Sequence, residues 1–218
     1  MNLDQIERYE IKTSKMGLKL PVVNDVHLHS IYNPEKEAQS IADKYEENIK
    51  SKKNILILGL GFGYHVNKVV EMAKKYHGED FNIVVIEPNL KVTNDCRELK
   101  IVDESILTIH AGMPIQELYE MRSLVEFLTD KPTVIAHPSS FNLYRDYFKD
   151  FLSFEAKSDL FSCSRIITNK EISEYLGSFG DFDSIENLID HKILRQTELK
   201  DEKDHVMLAY RHMLLSDF

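Results

Sequence analysis

Apolar residues along this 218-residue chain follow two alternating rhythms. Between Asn54 and Ala136, short unbroken runs of Ile, Val and Leu occur at Asn54–Leu58, Asn82–Glu87, Ile106–Ile109 and Thr133–Ala136. Between them, apolar residues recur every three or four positions. An unbroken run is the pattern of a strand covered on both faces, as in parallel sheets. The three-to-four spacing is that of a helix with one buried face, here Val66, Val69, Val70 and Ala73, and later Leu118, Met121, Val125 and Leu128. Strand–helix–strand alternation with short links predicts right-handed βαβ units and a Rossmann-like, doubly wound, mainly parallel α/β sheet.

The flanks differ. Asn33 and Pro34 predict a helix start, with Glu35 and Glu37 in its first turn and Ala38, Ile41, Ala42, Tyr45 and Ile49 on its apolar face. Upstream, residues 6–32 suggest short strands, Tyr9–Thr13 and Leu18–Val23, joined by a turn at Lys15-Met16-Gly17. Phe141, Tyr144, Phe148 and Phe151 sit at helical spacing, as core packing. After Thr168 the pattern weakens into polar, helix-prone sequence ending at Val206, Tyr210, Met213 and Leu214. The expected organisation is a β appendage over residues 1–33, a Rossmann-like nucleotide-binding domain over 34–168 and a helical tail over 169–218.

Composition narrows the function. A chain that is 43% hydrophobic and 29% charged is an ordinary globular one. A net charge of -9 without a basic block argues against sequence-independent nucleic-acid binding, which relies on Lys and Arg to neutralise phosphates. The two cysteines, Cys96 and Cys163, have no metal-ligand spacing and fit a reducing compartment. The N-terminus has no apolar segment of the signal-peptide kind, and the longest apolar run falls far short of the roughly 20 residues of a membrane span. A soluble, cytoplasmic protein with no nucleic-acid or membrane partner is expected.

Strand Asn54–Leu58 runs directly into Gly59-x-Gly61-x-Gly63 and then a helix, the setting in which a glycine motif carries meaning. Such a turn visits positive φ and lets a ligand approach the backbone, while the helix N-terminus offers unpaired N–H groups. The next strand ends at Glu87, where an acid accepts ribose hydroxyls in dinucleotide and S-adenosylmethionine sites. The bland alternative is that the glycines permit tight helix–sheet packing and Glu87 caps the next helix. Tyr64 stands where the dinucleotide fingerprint wants its third glycine, which disfavours NAD. The G-x-G-x-G form is closer to class I methyltransferases, so an S-adenosylmethionine-dependent methyltransferase is the alternative function. Two of that family's supporting acids are missing: Ile109-His110-Ala111-Gly112-Met113 and Ala136-His137-Pro138 end the third and fourth strands without one.

Histidines are the other chemical signal. Asp25-x-His27-x-His29 alternates along a strand and resembles the first motif of the polymerase-and-histidinol-phosphatase metal phosphoesterases, with His137 in a later one. Those enzymes need further ligands at strand ends, and here a glycine loop occupies the next one. No metal is therefore assigned, and a metal phosphoesterase ranks third. His65 follows the glycine loop directly, and His137 ends the fourth strand, where ligands of such sheets bind.

Taken in order, His29-Ser30-x-Tyr32-x-Pro34-x-x-Glu37-Ala38, Gly59-x-Gly61-x-Gly63-Tyr64-His65 and Ile86-Glu87-Pro88-Asn89 resemble the N-terminal Rossmann-like domain of the motility accessory factor family, over residues 9–160. That family, related to hydroxymethylpterin diphosphokinase-like proteins, glycosylates flagellin from CMP-sugars. The resemblance implies a nucleotide- or nucleotide-sugar-binding domain with a CMP-sugar as ligand, beside S-adenosylmethionine as the ligand of the methyltransferase alternative. It adds His29, Ser30 and Tyr32 to the site formed by Gly59, Gly61, Gly63, Tyr64, His65, Glu87 and His137. The family assigns sugar transfer to a following central domain, for which the last ~50 residues are too few. The expectation is a stand-alone relative, a fragment, or a subunit working with a separate glycosyltransferase chain or flagellin, with no catalytic residue assigned. A pocketless assembly domain would instead show an exposed apolar patch around Met207, Tyr210 and Leu214.

Overall fold

The computed structural model describes residues 8–155, 159–199 and 201–216; residues 6 and 7 and the side chain of Leu214, both named above, lie outside the described residues. The chain divides into two compact units, Met1–Phe154 and Glu155–Phe218.

The first unit opens with an antiparallel sheet of β1 (Tyr9–Thr13), β2 (Lys19–Val23) and β3 (Val26–His27), in that order. β1 and β2 match the predicted hairpin. The two-residue β3, turned back by Asn24 and Asp25 at φ 48° and 63°, is too short to leave a pattern in sequence. Then come α1 (Pro34–Lys44) and α2 (Glu46–Ser51), β4 (Asn54–Leu58), α3 (Tyr64–His77), β5 (Asn82–Glu87), α4 (Leu90–Glu98), β6 (Thr108–Ala111), α5 (Ile115–Glu120), α6 (Arg122–Thr129), β7 (Thr133–Ala136), α7 (Pro138–Leu143) and α8 (Arg145–Leu152). The side chain of Asn33 accepts from Lys36 N at the start of α1, with Pro34 at the first helical position, as expected of that pair.

Strands β4 to β7 form a parallel sheet in the order β6-β5-β4-β7. Its central strands, β4 and β5, are covered on both faces, whereas the edge strands β6 and β7 are partly exposed. Ile55, Ile57, Ile83, Val85 and Ile135 pack with Val66, Val69, Val70 and Ala73 of α3 and with Val92 and Cys96 of α4. Leu56, Leu58, Val84 and Ile86 face Leu118, Leu124, Phe127, Phe148 and Phe151. Each such side chain fully withdrawn from water contributes roughly 1.5–3 kcal/mol, so this double core is the main stabilising term of the unit. Val23 and Leu28 join the first cluster, tying the appendage to one side of the sheet domain.

Three expectations need correction. Strand β6 lies two residues later than Ile106–Ile109, because residues Glu104–Ile106 form a 3-10 turn started by the Asp103 side chain, which accepts from Ser105 N. The helical stretch containing Leu118 breaks at Met121 (φ -81°, ψ 105°), which rotates the buried face from Val125 and Leu128 to Leu124 and Phe127. The predicted apolar patch also fails at Met207, which is 5% exposed within the core of the second unit.

That unit contains α9 (Leu160–Ile166), α10 (Lys170–Gly177), α11 (Ile185–Leu188), a π-helical turn at Ile189–Ile193, and α12 (Glu202–Ser216). Leu160, Tyr175, Leu176, Leu188, Ile189 and Ile193 complete its core with Met207. Leu160 belongs to this core, so α9 goes with the helical unit rather than with the sheet domain. Among the described residues, no helix is long and apolar enough to cross a membrane.

Candidate functional site

The first strand of the parallel sheet, β4, lies between β5 and β7. From its carboxyl end the chain leaves through α3 toward β5 on one side, while β7 arrives last on the other. This reversal of strand order is the topological switch point, where ligands bind open α/β sheets. The loop Gly59–Gly63 ends β4 and His137 follows β7, so two of the sequence-predicted elements meet there.

The loop is tightly folded. Gly59 and Gly61 have φ of 97° and 51°, and a Cβ on Gly61 would lie 2.5 Å from His29 Nε2. A Cβ on Gly59 would collide with the side chain of Ser140. The glycines are thus required by the protein's own side chains in this arrangement. Three consecutive loop amides then point at acceptors: Leu60 N and Gly61 N donate to Glu87 Oε2 at 2.7 and 3.3 Å, and Phe62 N donates to His29 Nε2 at 2.9 Å. Two successive N–H groups on one oxygen form a small donor cradle, and the third amide is aimed at the His29 imidazole instead. Gly63, at φ 75°, leads into α3, whose first turn has neither an acidic residue nor a side-chain cap.

Glu87 is fully buried and its carboxylate is consumed by backbone: Oε1 accepts from Asn89 N at 2.9 Å while Oε2 sits on the loop amides. Burial pushes its pKa up to about 7 against the opposing pull of those three N–H groups. In this arrangement Glu87 fills the cradle instead of presenting itself to a ribose. Asn89 caps α4 through Lys91 N and Val92 N and donates to Tyr144 Oη.

Three histidines from distant parts of the sequence converge beside the loop. His29 follows β3, His65 opens α3 and His137 follows β7; one nitrogen from each lies within 4.8 Å of the others, and all three residues are buried. The rings of His65 and His137 stack at 4.3 Å and 5°, and His29 lies 4.7 Å from His137. Each has an outer partner. His29 Nδ1 faces the Glu37 carboxylate at 3.5 Å, His65 Nε2 meets the Gly59 carbonyl at 3.0 Å, and His137 Nδ1 meets Ser140 Oγ at 2.8 Å. Burial lowers all three pKa values, that of His65 to about 3, so the imidazoles are neutral at ordinary pH.

The remaining predicted residues lie around this group. Tyr64 is half-buried, edge-on to His29 at 5.1 Å, and its hydroxyl donates to the Lys19 carbonyl. Ser30 donates its N–H to Glu37 and accepts at Oγ from Tyr32 N and Asn33 N. Tyr32 is 59% exposed, with the Lys15 ammonium 4.2 Å above its ring. Asp25 is exposed and pairs with Arg8, and neither it nor His27 joins the histidine group. Sequence reasoning did not single out Ser140 or the amide of Phe62. Ser140 had one local signal, standing three residues beyond His137 at a helix start.

No family model and no curated protein matches the chain. Among solved structures, MnmC2 from Aquifex aeolicus is similar at 13% identity and a TM-score of 0.40, over 59% of this chain. The match spans only 57% of that protein's chain.

Proposed function

We propose that the first unit is a nucleotide- or nucleotide-sugar-binding domain, of the kind implied by the resemblance to motility accessory factors. The observation that carries this reading is the run of three amide donors, Leu60, Gly61 and Phe62, turned toward acceptors at the switch point of the sheet. In the arrangement described, side chains of the protein satisfy that cradle, with Glu87 standing in for an anionic ligand oxygen. A ligand phosphate or hydroxyl takes its place, and the released carboxylate turns to the ribose. Two features favour the exchange. Glu87 is held in surroundings that raise its pKa to about 7, so moving toward solvent regains hydration for the charged form. The uncapped first turn of α3 leaves the positive end of a 14-residue helix for an anion. The reading concerns binding, and it assigns no side chain a catalytic role.

A thermal-shift series with CMP, a CMP-sugar and S-adenosylmethionine tests it, using wild type and Gly61→Ala. A cytidine nucleotide at 100 times its Kd should add about 2.7 kcal/mol of stability to the wild type. The shift should vanish in the variant. A response to S-adenosylmethionine alone would move the assignment to a methyltransferase, and silence to every nucleotide would remove the proposal.

A further inference from the structure

We infer that His29, His65 and His137 form a binding site for a single divalent transition-metal ion, independently of any nucleotide. The tautomers follow from hydrogen bonding. A carbonyl only accepts, so His65 Nε2 carries the proton toward Gly59 O and the lone pair lies on Nδ1. An amide only donates, so His29 Nε2 carries the lone pair toward Phe62 N, leaving its proton on Nδ1 beside Glu37. With Ser140 on His137 Nδ1, the remaining nitrogen of that ring is Nε2. His65 Nδ1 and His137 Nε2 are buried and have no hydrogen-bond partner. Buried polar atoms left unsatisfied are costly, and an ion shared between these two removes both penalties.

The outer contacts have the form that metal-bound imidazoles require. A carboxylate and a carbonyl hold the outward nitrogens of His29 and His65, which fixes their ring orientation and tautomer, and the Ser140 hydroxyl orients His137 and can accept from its Nδ1, leaving Nε2 as the donor atom for an ion. Three neutral nitrogen donors without a carboxylate among them select zinc, cobalt, nickel or copper over magnesium or calcium. Tetrahedral coordination at 2.0–2.1 Å puts the nitrogens about 3.4 Å apart. The His65 and His137 rings, now 5° from parallel, tilt out of their stack so that both in-plane lone pairs converge on the ion, and His29 Nε2 leaves Phe62 N. That last move frees a third amide of the loop, so a bound ion would open the cradle to an incoming oxygen.

The test is titration of the full-length protein, freed of metal by chelator, with Co2+ and then Zn2+, without nucleotide. One equivalent of Co2+ should produce the intense visible absorption of a tetrahedral site, and Zn2+ should bleach it. His137→Gln should abolish the band. Because a buried substitution can unfold the domain, Ser140→Ala is the second variant; it keeps all three ligands and should weaken affinity 10–100-fold with an unchanged circular dichroism spectrum. A wild-type protein that takes up neither ion, or a folded His137→Gln that binds like wild type, overturns the inference. Nucleotide binding is measured separately, so either proposal can fail alone.

Discussion

Replacing Glu87 by Gln probes how completely the switch-point site is closed. In the fold, burial holds the Glu87 carboxyl at a pKa of about 7 against an ordinary 4.5. A raised folded pKa means that the native state keeps its proton where the unfolded chain has lost it. The associated stability is therefore fully present below pH 4.5 and is lost as pH rises through 7. A displacement from 4.5 to about 7, at 1.36 kcal/mol per unit, corresponds to about 3 kcal/mol, with no discount for solvent because the group is fully buried. The substituted glutamine cannot ionise. Its amide NH2 meets the Asn89 N–H that Oε1 now accepts, a donor–donor conflict costing roughly 1–3 kcal/mol that is independent of pH. Histidine titration occurs in both proteins and cancels in the comparison. The assay is urea denaturation at intervals from pH 4.5 to 7.5, followed by far-UV circular dichroism because the chain has no tryptophan. Wild type should lose about 3 kcal/mol relative to Glu87→Gln across that range. Parallel curves, differing by less than about 1 kcal/mol in slope over the range, would mean that the carboxylate is solvated and the cradle stands open.

Two other perturbations separate packing from capping. Gly61→Ala places a methyl in a left-handed backbone position 2.5 Å from His29 Nε2 and should cost about 2–4 kcal/mol by chemical denaturation. A loss below about 0.5 kcal/mol would mean that His29 does not occupy that place. Asn89→Ala removes both the cap of α4 and the bond to Tyr144, and should cost about 1–3 kcal/mol. Asn89→Asp keeps the cap and should cost less, so equal losses in the two variants would refute the capping role.

The sheet was legible because its central strands are buried on both faces, which leaves unbroken apolar runs such as Ile55–Leu58 and Ile83–Ile86. Helix breaks were not. Ala38, Ala42 and Ile49 keep helical spacing across Tyr45, although the helix stops there and restarts. Local chemistry gave similarly partial access to the site. The glycines, Glu87 and His137 sit at or directly after the carboxyl end of a strand, and His65 opens the helix that follows the loop, all positions readable from pattern alone. Their partners were hidden: nothing in the run around Glu87 says that its carboxylate turns inward onto Leu60 and Gly61. The convergence of His29, His65 and His137 depends on β7 pairing with β4 rather than with β6, and on β3 bringing His29 over the loop. Strand order and the folding-back of an appendage are long-range facts without a local sequence signature.

We propose that the loop following β4 binds a nucleotide through its backbone. That binding is tested most directly by amide NMR of the 15N-labelled protein during titration with a CMP-sugar. Saturable shifts centred on the N–H groups of Leu60, Gly61 and Phe62 are expected, with Asn89 moving as Glu87 lets go of it. A ligand that binds while those four resonances stay in place would put the site elsewhere in the protein and refute backbone recognition by this loop.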